Sequence, residues 1–139
     1  MTMTDDKNPT PGSHEPQVGE FVAHYRLDKR LAAGGMGIVF RAYEEGLDRY
    51  VAIKILPRNL TSDPEFVRRF LQEARAVANL NHPNVVQIYF TGQQRGMLFF
   101  AMELVHGNTL DALVRQRKQL PAREAVGLIR QAAVGLQHA

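Results

Sequence analysis

The chain has 139 residues, of which 45% are hydrophobic and 22% charged, a size and composition that fit one ordinary globular domain. Its 17 Lys and Arg against 14 Asp and Glu leave a formal charge of only +3, and without a basic run this excludes an extended nucleic-acid-binding face. The absence of cysteine excludes disulfide bonds and thiolate metal sites, and no apolar stretch reaches the roughly 18 residues that a membrane span needs.

The first 20 residues predict a disordered tail, because Pro, Gly and charged residues dominate them and apolar side chains are few. Asp5 and Asp6 stand where a secretion signal would carry basic residues, so we expect a cytoplasmic chain. Two blocks follow: residues 21–104 predict strands with a single main helix, and residues 105–139 predict helices only. This order is typical of an α+β fold.

Strands and helices are predicted from residue patterns and from the turn residues between them. β-Branched and aromatic runs predict strands over 25–31, 38–43, 50–56, 85–90 and 97–103. Apolar residues at helical spacing predict helices over 64–80, 110–114 and 122–136. The run 50–56 is apolar on both faces except at Lys54, which is typical of a strand buried on both sides of a sheet.

A glycine-rich loop, Gly-Gly-Met-Gly at residues 34–37, connects the first two predicted strands. A dinucleotide-binding fingerprint needs a helix after its glycines, whereas residues 38–40 are strand-like, and no Gly-Lys-Ser/Thr closes the loop as a Walker motif requires. Two interpretations stay open at this point. The loop is either a tight hairpin turn or a flexible hairpin whose backbone amides cover phosphate groups.

A lysine and a glutamate occur in apolar patterns where charges are costly. Lys54 is flanked by apolar residues on its strand, and Glu73 shares one helix face with Phe66, Phe70 and Val77. A buried charge without a partner costs about 3–5 kcal/mol, whereas a pair near 4 Å gains roughly 4 kcal/mol before desolvation at an effective dielectric near 20. We therefore predict that the two charges meet where strand and helix pack, either as a structural ion pair or with the lysine free to reach a phosphate.

Five motifs, in this order and spacing, resemble the amino-terminal lobe of protein kinases. They are the glycine loop through Val39, Val-Ala-Ile-Lys at 51–54, Glu73 on its helix, His-Pro-Asn-Val-Val at 82–86 and Met-Glu-Leu-Val at 102–105. The glycine loop and the residues around 70–74 are similar to bacterial serine/threonine kinases. The resemblance implies a five-stranded antiparallel sheet with one main helix over 21–104, followed over 105–139 by the hinge and the first two helices of the carboxy-terminal lobe.

The resemblance also assigns roles to single positions, with ATP as the implied cofactor. Lys54 would hold the α- and β-phosphates and be oriented by Glu73, the two forming the catalytic ion pair. Side chains would enclose the adenine, the backbone of the glycine loop would cover the phosphates, and main-chain groups of the hinge would bond the adenine edge. The implied nucleotide-binding residues are Leu31, Ala32, Ala33, Gly34, Gly35, Met36, Gly37, Ile38, Val39, Ala52, Lys54, Met102, Glu103 and Val105.

The sequence departs from the family pattern in two places. Ala32 replaces the first glycine of the loop, which is tolerable at negative φ and strained at positive φ. The sequence stops at His138-Ala139, where the family's catalytic loop should begin, so His-Arg-Asp, the magnesium-binding Asn and Asp-Phe-Gly have no counterpart. We therefore expect no metal ligands here, although the family uses Mg²⁺, and no kinase activity from this chain by itself.

Three interpretations of function follow. The first is part of a serine/threonine protein kinase whose reading frame is truncated, split or interrupted, with a complementing kinase half or a regulatory protein as the expected partner. The second is a non-catalytic, pseudokinase-like module that binds nucleotide or regulates a partner. The third is an unrelated small α+β interaction domain in which the glycine loop and Lys54 are structural. The protein substrate is unknown at this level.

Overall fold

The computed structural model describes residues 14–139, so the part of the predicted disordered tail at residues 1–13 lies outside the described residues. The strands are Phe21–Val22 (β1), Tyr25–Gly34 (β2), Gly37–Glu44 (β3), Arg49–Leu56 (β4), Ile88–Gln94 (β5) and Met97–Met102 (β6). The helices are Arg58–Thr61 (α1), Pro64–Ala78 (α2), Leu110–Arg117 (α3) and Ala122–His138 (α4), with a 3₁₀ turn at Glu45–Leu47. The predicted α+β order is confirmed.

The strands form one antiparallel sheet in the order β1-β2-β3-β4-β6-β5, which has six strands where the resemblance implies five. The additional strand is β1, which pairs with β2 after a turn in which Ala23 has a φ of 53°. A two-residue strand is too short to show an alternating pattern, so the sequence does not reveal it. Residues 14–20, predicted to be disordered, also contact the sheet, because the Gly19 N–H donates to the Leu27 carbonyl over 2.8 Å.

Strand β4 lies at the centre of the sheet, between β3 and β6, which explains why it is apolar on both faces. The right-handed twist of the strands accumulates across the sheet and brings its edges together. Tyr25 of β2 thereby approaches Phe90 of β5 and Phe99 of β6, with ring centroids 6.5 and 6.3 Å apart. The curled sheet encloses the larger apolar core, to which Phe40 and Ile53 also belong.

The other face of the sheet is covered by α2. This helix begins at Asp63, whose carboxylate accepts the Glu65 N–H over 2.9 Å, and Pro64 occupies its first turn. Burying a large apolar side chain contributes about 1.5–3 kcal/mol, so Phe70 fixes the helix against the strands. The second core, between helix and sheet, consists of Leu56, Phe70, Ala74, Ile88 and Phe100.

The last two helices, α3 and α4, follow β6 in the chain. Gly135 is buried in α4, and a Cβ at this position would lie 2.9 Å from the Asn84 carbonyl oxygen, so the helix and the loop before β5 approach closely. Much of the apolar face of α4 is exposed, with Val126, Ile129 and Leu136 at 67%, 58% and 76%. No helix within residues 14–139 is long and apolar enough to cross a membrane.

One carboxylate is buried at the end of β3. The Glu44 side chain is 8% exposed, and Arg49 Nε and His24 Nε2 lie 2.6 and 3.1 Å from its two oxygens. Burial alone would raise the pKa of Glu44, but the hydrogen bonds from Arg49 and His24 outweigh it and hold the pKa below its ordinary value of 4.5. Glu44 therefore stays ionised and ties the β1–β2 turn to the start of β4.

Replacing Glu44 with glutamine is expected to lower the free energy of unfolding by about 1.5–3 kcal/mol at about pH 6, the usual range for a hydrogen bond to a charged group. A carboxylate whose pKa is lowered by folding stabilises the fold above pH 4.5, and this contribution is lost as the pH falls through the lowered pKa. Urea unfolding at two pH values should therefore show the difference between wild type and Glu44→Gln narrowing below pH 4.5. A constant difference would contradict this role, and the exposed neighbour Glu45→Gln is the control.

Candidate functional site

Strand register places four of the predicted nucleotide-binding residues on one face of the sheet. Lys54 lies opposite Val39 of β3, and Ala52 lies opposite Met102 of β6. Residues directly opposite in an antiparallel ladder share a face, as do residues two apart on one strand. Phe100, which packs under α2, is also opposite Lys54, so the predicted nucleotide face and the helix lie on the same side of the sheet.

The predicted contact between Lys54 and Glu73 is present. Lys54 Nζ lies 2.8 and 2.9 Å from the two carboxylate oxygens of Glu73, so one ammonium group bonds both oxygens. The sequence argument treats both charges as buried, and this is wrong for Glu73, whose side chain is 41% exposed against 16% for Lys54. Solvent screens a half-exposed carboxylate, so the pair contributes less to stability than a buried pair. It is better suited to orienting Lys54 than to holding the fold together.

The glycine hairpin contains two kinds of glycine. Gly37 has a φ of 127°, and a Cβ on it would overlap the Ile55 carbonyl oxygen at well under 3.0 Å, so β3 needs glycine to pass beside β4. Gly34 and Gly35 are exposed, and a Cβ on either would meet nothing within 4 Å. The turn interpretation therefore accounts for Gly37, whereas the fold itself makes no such demand at Gly34 and Gly35.

The other predicted residues of this region differ in their surroundings. Ala32 does not have a positive φ, so alanine replaces the family's glycine there without backbone strain. Ala33 is exposed, Met36 is half-buried at the hairpin tip, and Leu31 is 45% exposed. Ile38 packs inside the curled sheet and is 5% exposed, so its side chain does not reach the nucleotide face.

The connector after β6 offers backbone groups. The Glu103 N–H donates to the Gln87 carbonyl over 2.8 Å, which fixes the start of the connector. The resemblance assigns the Glu103 carbonyl and the Val105 N–H to the adenine edge, and neither has a hydrogen-bond partner among residues 14–139. Val105 is 64% exposed. Contact of these groups with adenine stays a prediction.

Sequence reasoning missed the ion pairs around the glycine hairpin. Arg41 Nε on β3 donates to Asp28 on β2 over 2.6 Å, and Arg30 Nη1 lies 2.8 Å from Glu15 Oε1. Both pairs occur where the register between β2 and β3 shifts. No local pattern signals them, because a bulge depends on how two strands pair.

Comparison with known proteins agrees with this geometry. The model of the protein kinase domain family matches residues 25–139. Serine/threonine-protein kinase PknA of Mycobacterium tuberculosis is 37% identical over 128 residues, covering 88% of this chain and 30% of that protein. PrkC of Bacillus subtilis is 37% identical over 115 residues, covering 83% of this chain and 18% of that protein. The crystal structure of the M. tuberculosis PknI kinase domain, at 28% identity, has a TM-score of 0.75 and covers 89% of this chain and 50% of that one.

The chain thus spans less than a third of these two relatives and about half of the PknI kinase domain. The match includes the glycine hairpin, Lys54, Glu73 and the connector after β6, which are the elements predicted to bind the nucleotide. A family match over most of the length, together with relatives that are bacterial serine/threonine kinases, excludes the interpretation of the chain as an unrelated α+β interaction domain. This chain belongs to the protein kinase domain family.

Proposed function

We propose that this chain forms the ATP-binding part of a cytoplasmic serine/threonine protein kinase, an enzyme that transfers phosphate from ATP to serine or threonine of another protein. The Lys54–Glu73 pair carries the proposal, because it fixes an ammonium group beside the glycine hairpin and on the same face as Ala52 and Met102. The relatives supply the type of kinase, since both are named serine/threonine-protein kinases.

Each residue of the proposed nucleotide face has a distinct role in ATP binding. Lys54, held by both oxygens of Glu73, offers a fixed positive charge to phosphate oxygens. Gly34 and Gly35 let backbone N–H groups approach the phosphates, since no Cβ intervenes. The small side chain of Ala52 leaves room for a flat base on this face, and the free backbone groups of the connector would bond its edge.

The family uses Mg²⁺ with ATP, where the metal neutralises charge on the phosphate groups. Within residues 14–139 no group of three His, Asp or Glu side chains lies close enough together to hold a metal ion. The family holds its magnesium with the Asp of Asp-Phe-Gly and the Asn of the catalytic loop, motifs that this sequence does not contain, so no step through the metal is derived. Phosphoryl transfer also needs a base that orients the acceptor hydroxyl. The activity proposed for the described residues themselves is ATP binding, with a complementing kinase half or a regulatory protein as partner.

Replacing Lys54 with glutamine is expected to weaken ATP binding about 10- to 100-fold. A hydrogen bond to a charged group contributes about 1.5–3 kcal/mol. Each tenfold change in affinity corresponds to about 1.4 kcal/mol. Adenosine has no phosphate groups, so its affinity should be the same in both chains. Calorimetric titration with ATP and with adenosine measures these affinities.

The matched control is Lys118→Gln, because Lys118 is an exposed lysine at the end of α3. This variant should bind ATP as tightly as wild type. If Lys54→Gln and Lys118→Gln bind ATP equally well, then Lys54 holds no phosphate and the proposed site is wrong.

A further inference from the structure

Residues 14–20 form a strap alongside the start of β2. The Gly19 N–H donates to the Leu27 carbonyl, and the Leu27 N–H donates to the Glu20 carbonyl, both over 2.8 Å. Pro16 within the strap is buried. These contacts attach the strap to the part of β2 that precedes the glycine hairpin.

A second set of bonds keeps the strap folded. His14 Nε2 lies 2.7 Å from one oxygen of Glu20, and the Gln17 N–H donates to the other over 2.9 Å. The Gln17 side-chain amide donates to the Glu15 carbonyl over 3.1 Å. Glu15 is therefore presented from a defined turn of the chain rather than from a free tail.

Glu15 connects the strap to β2 at Arg30. Its Oε1 lies 2.8 Å from Arg30 Nη1. That oxygen is shielded from solvent and has no aligned hydrogen-bond donor among residues 14–139, so the contact is an ion pair rather than a directed hydrogen bond. Arg30 stands between two register shifts of the β2–β3 ladder, one between Leu27 and Lys29 and one between Arg30 and Ala32.

The register shifts lie in the β2 arm of the glycine hairpin. The other arm is firm, because β3 pairs regularly with β4 from Ile38 onward. Beyond the shifts the ladder resumes, with residues 32–34 opposite residues 37–39, so the hairpin is joined to the rest of β2 through an irregular stretch that contains Arg30. This arm borders a cavity of about 320 Å³ whose other walls are the strap and residues 57–60. Because this cavity replaces packed side chains beside the hairpin, the Glu15–Arg30 ion pair is an important contact between the strap and the β2 arm.

We propose that Glu15 is a positioning residue for the glycine hairpin: its ion pair with Arg30 holds residues 30–34 over the ATP phosphates, so that the strap controls ATP affinity. The inference rests on ATP binding as the proposed function. The side chains of Glu15 and Arg30 are 44% and 48% exposed. Exposed ion pairs change an equilibrium constant by about fivefold at most, so the expected effect on ATP affinity is about two- to fivefold.

Hydrogen exchange without nucleotide tests the holding contact directly. In Glu15→Gln the backbone amides of residues 32–36 should exchange faster than in wild type, while those of β4 and β6 keep their rates. Glu45→Gln also exchanges an exposed carboxylate for an amide and should leave all of these rates unchanged. Unchanged exchange at residues 32–36 in Glu15→Gln would overturn the inference.

Titration of the whole chain with ATP and adenosine tests the consequence. Glu15→Gln should weaken ATP binding about two- to fivefold and leave adenosine affinity unchanged, whereas damage to the fold would weaken both ligands. The reversed pair, Glu15→Arg with Arg30→Glu, should restore ATP affinity toward wild type. Wild-type ATP affinity in Glu15→Gln would overturn the inference while leaving the Lys54→Gln result in place. ATP binding that Lys54→Gln does not weaken would overturn the proposed function instead, and exchange at residues 32–36 would still decide whether Glu15 holds the hairpin.

Discussion

A chain in which alanine replaces Gly37 is expected to lose about 3 kcal/mol of its free energy of unfolding. A residue with a side chain at a φ of 127° is strained by about 1–3 kcal/mol. The added Cβ would also overlap the carbonyl oxygen of Ile55, and crowding of this kind costs a further 1–3 kcal/mol or so when the neighbour is backbone. Urea denaturation measures the loss. ATP affinity should fall in the same variant, because Gly37 joins the hairpin tip to β3.

Gly35→Ala is the matched control for this substitution. Gly35 is in the same hairpin, does not have a positive φ, and would place its Cβ in open space. Its free energy of unfolding should stay within about 0.5 kcal/mol of wild type, as for other surface changes. If the two variants unfold at the same urea concentration, the hairpin relaxes around the new Cβ and the structural role assigned to Gly37 is wrong.

Much of the nucleotide face could be predicted because its signals are local. Lys54 interrupts a short apolar run, and Glu73 falls on the apolar face of one helix. The residue spacing is therefore enough to identify both as charges in apolar surroundings. The sequence predicts this helix over 64–80, because Asp63 and Pro64 are typical of a helix start, and the structure has it at Pro64–Ala78. The exposure of Glu73 could not be predicted, since it depends on how far the helix overlaps the sheet.

The position of β5 shows where a local pattern misleads. The apolar run predicts a strand over 85–90, whereas the structure has Ile88–Gln94. Arg95 and Gly96 form the turn into β6 with φ of 48° and 77°, a geometry that matches the twist of paired strands. This turn sets Gln94 opposite Met97, so polar residues near the turn join the strand and the apolar residues 85–86 stay in the loop.

Features built from distant segments could not be predicted at all. Glu44 is buried against His24 in the β1–β2 turn and Arg49 at the start of β4, and these residues meet only through the pairing of β2, β3 and β4. The strap at residues 14–20 has a composition typical of disorder, and its order comes from pairing with Leu27 and from its own hydrogen bonds to Glu20, which composition does not reveal. Composition measures how much apolar surface a segment brings, not which neighbour is available to bond its backbone.

Replacing Phe70 with alanine is expected to lower the free energy of unfolding by about 3–5 kcal/mol, the usual range for a buried aromatic side chain. Phe70 is 1% exposed, and its ring centroid lies 5.0 Å from that of Phe100. Phe66→Ala is the matched control, because Phe66 is one turn earlier on the same helix and only partly buried. Its loss should be smaller, because less apolar area is removed from water at Phe66. Equal urea midpoints for the two variants would contradict the role given to Phe70.

The same substitution also tests how the Lys54–Glu73 pair is held. Glu73 lies three residues after Phe70, on the next turn of α2, and Lys54 lies opposite Phe100 in the sheet. The aromatic contact therefore joins α2 to β6, and the ion pair joins it to the neighbouring β4. A helix that loses the first contact has more freedom to lose the second. ATP affinity should fall in Phe70→Ala toward the value of Lys54→Gln, and stay near wild type in Phe66→Ala. If Phe70→Ala is destabilised but binds ATP as tightly as wild type, the ion pair forms without the docking of α2, and the nucleotide rather than the core orients Lys54.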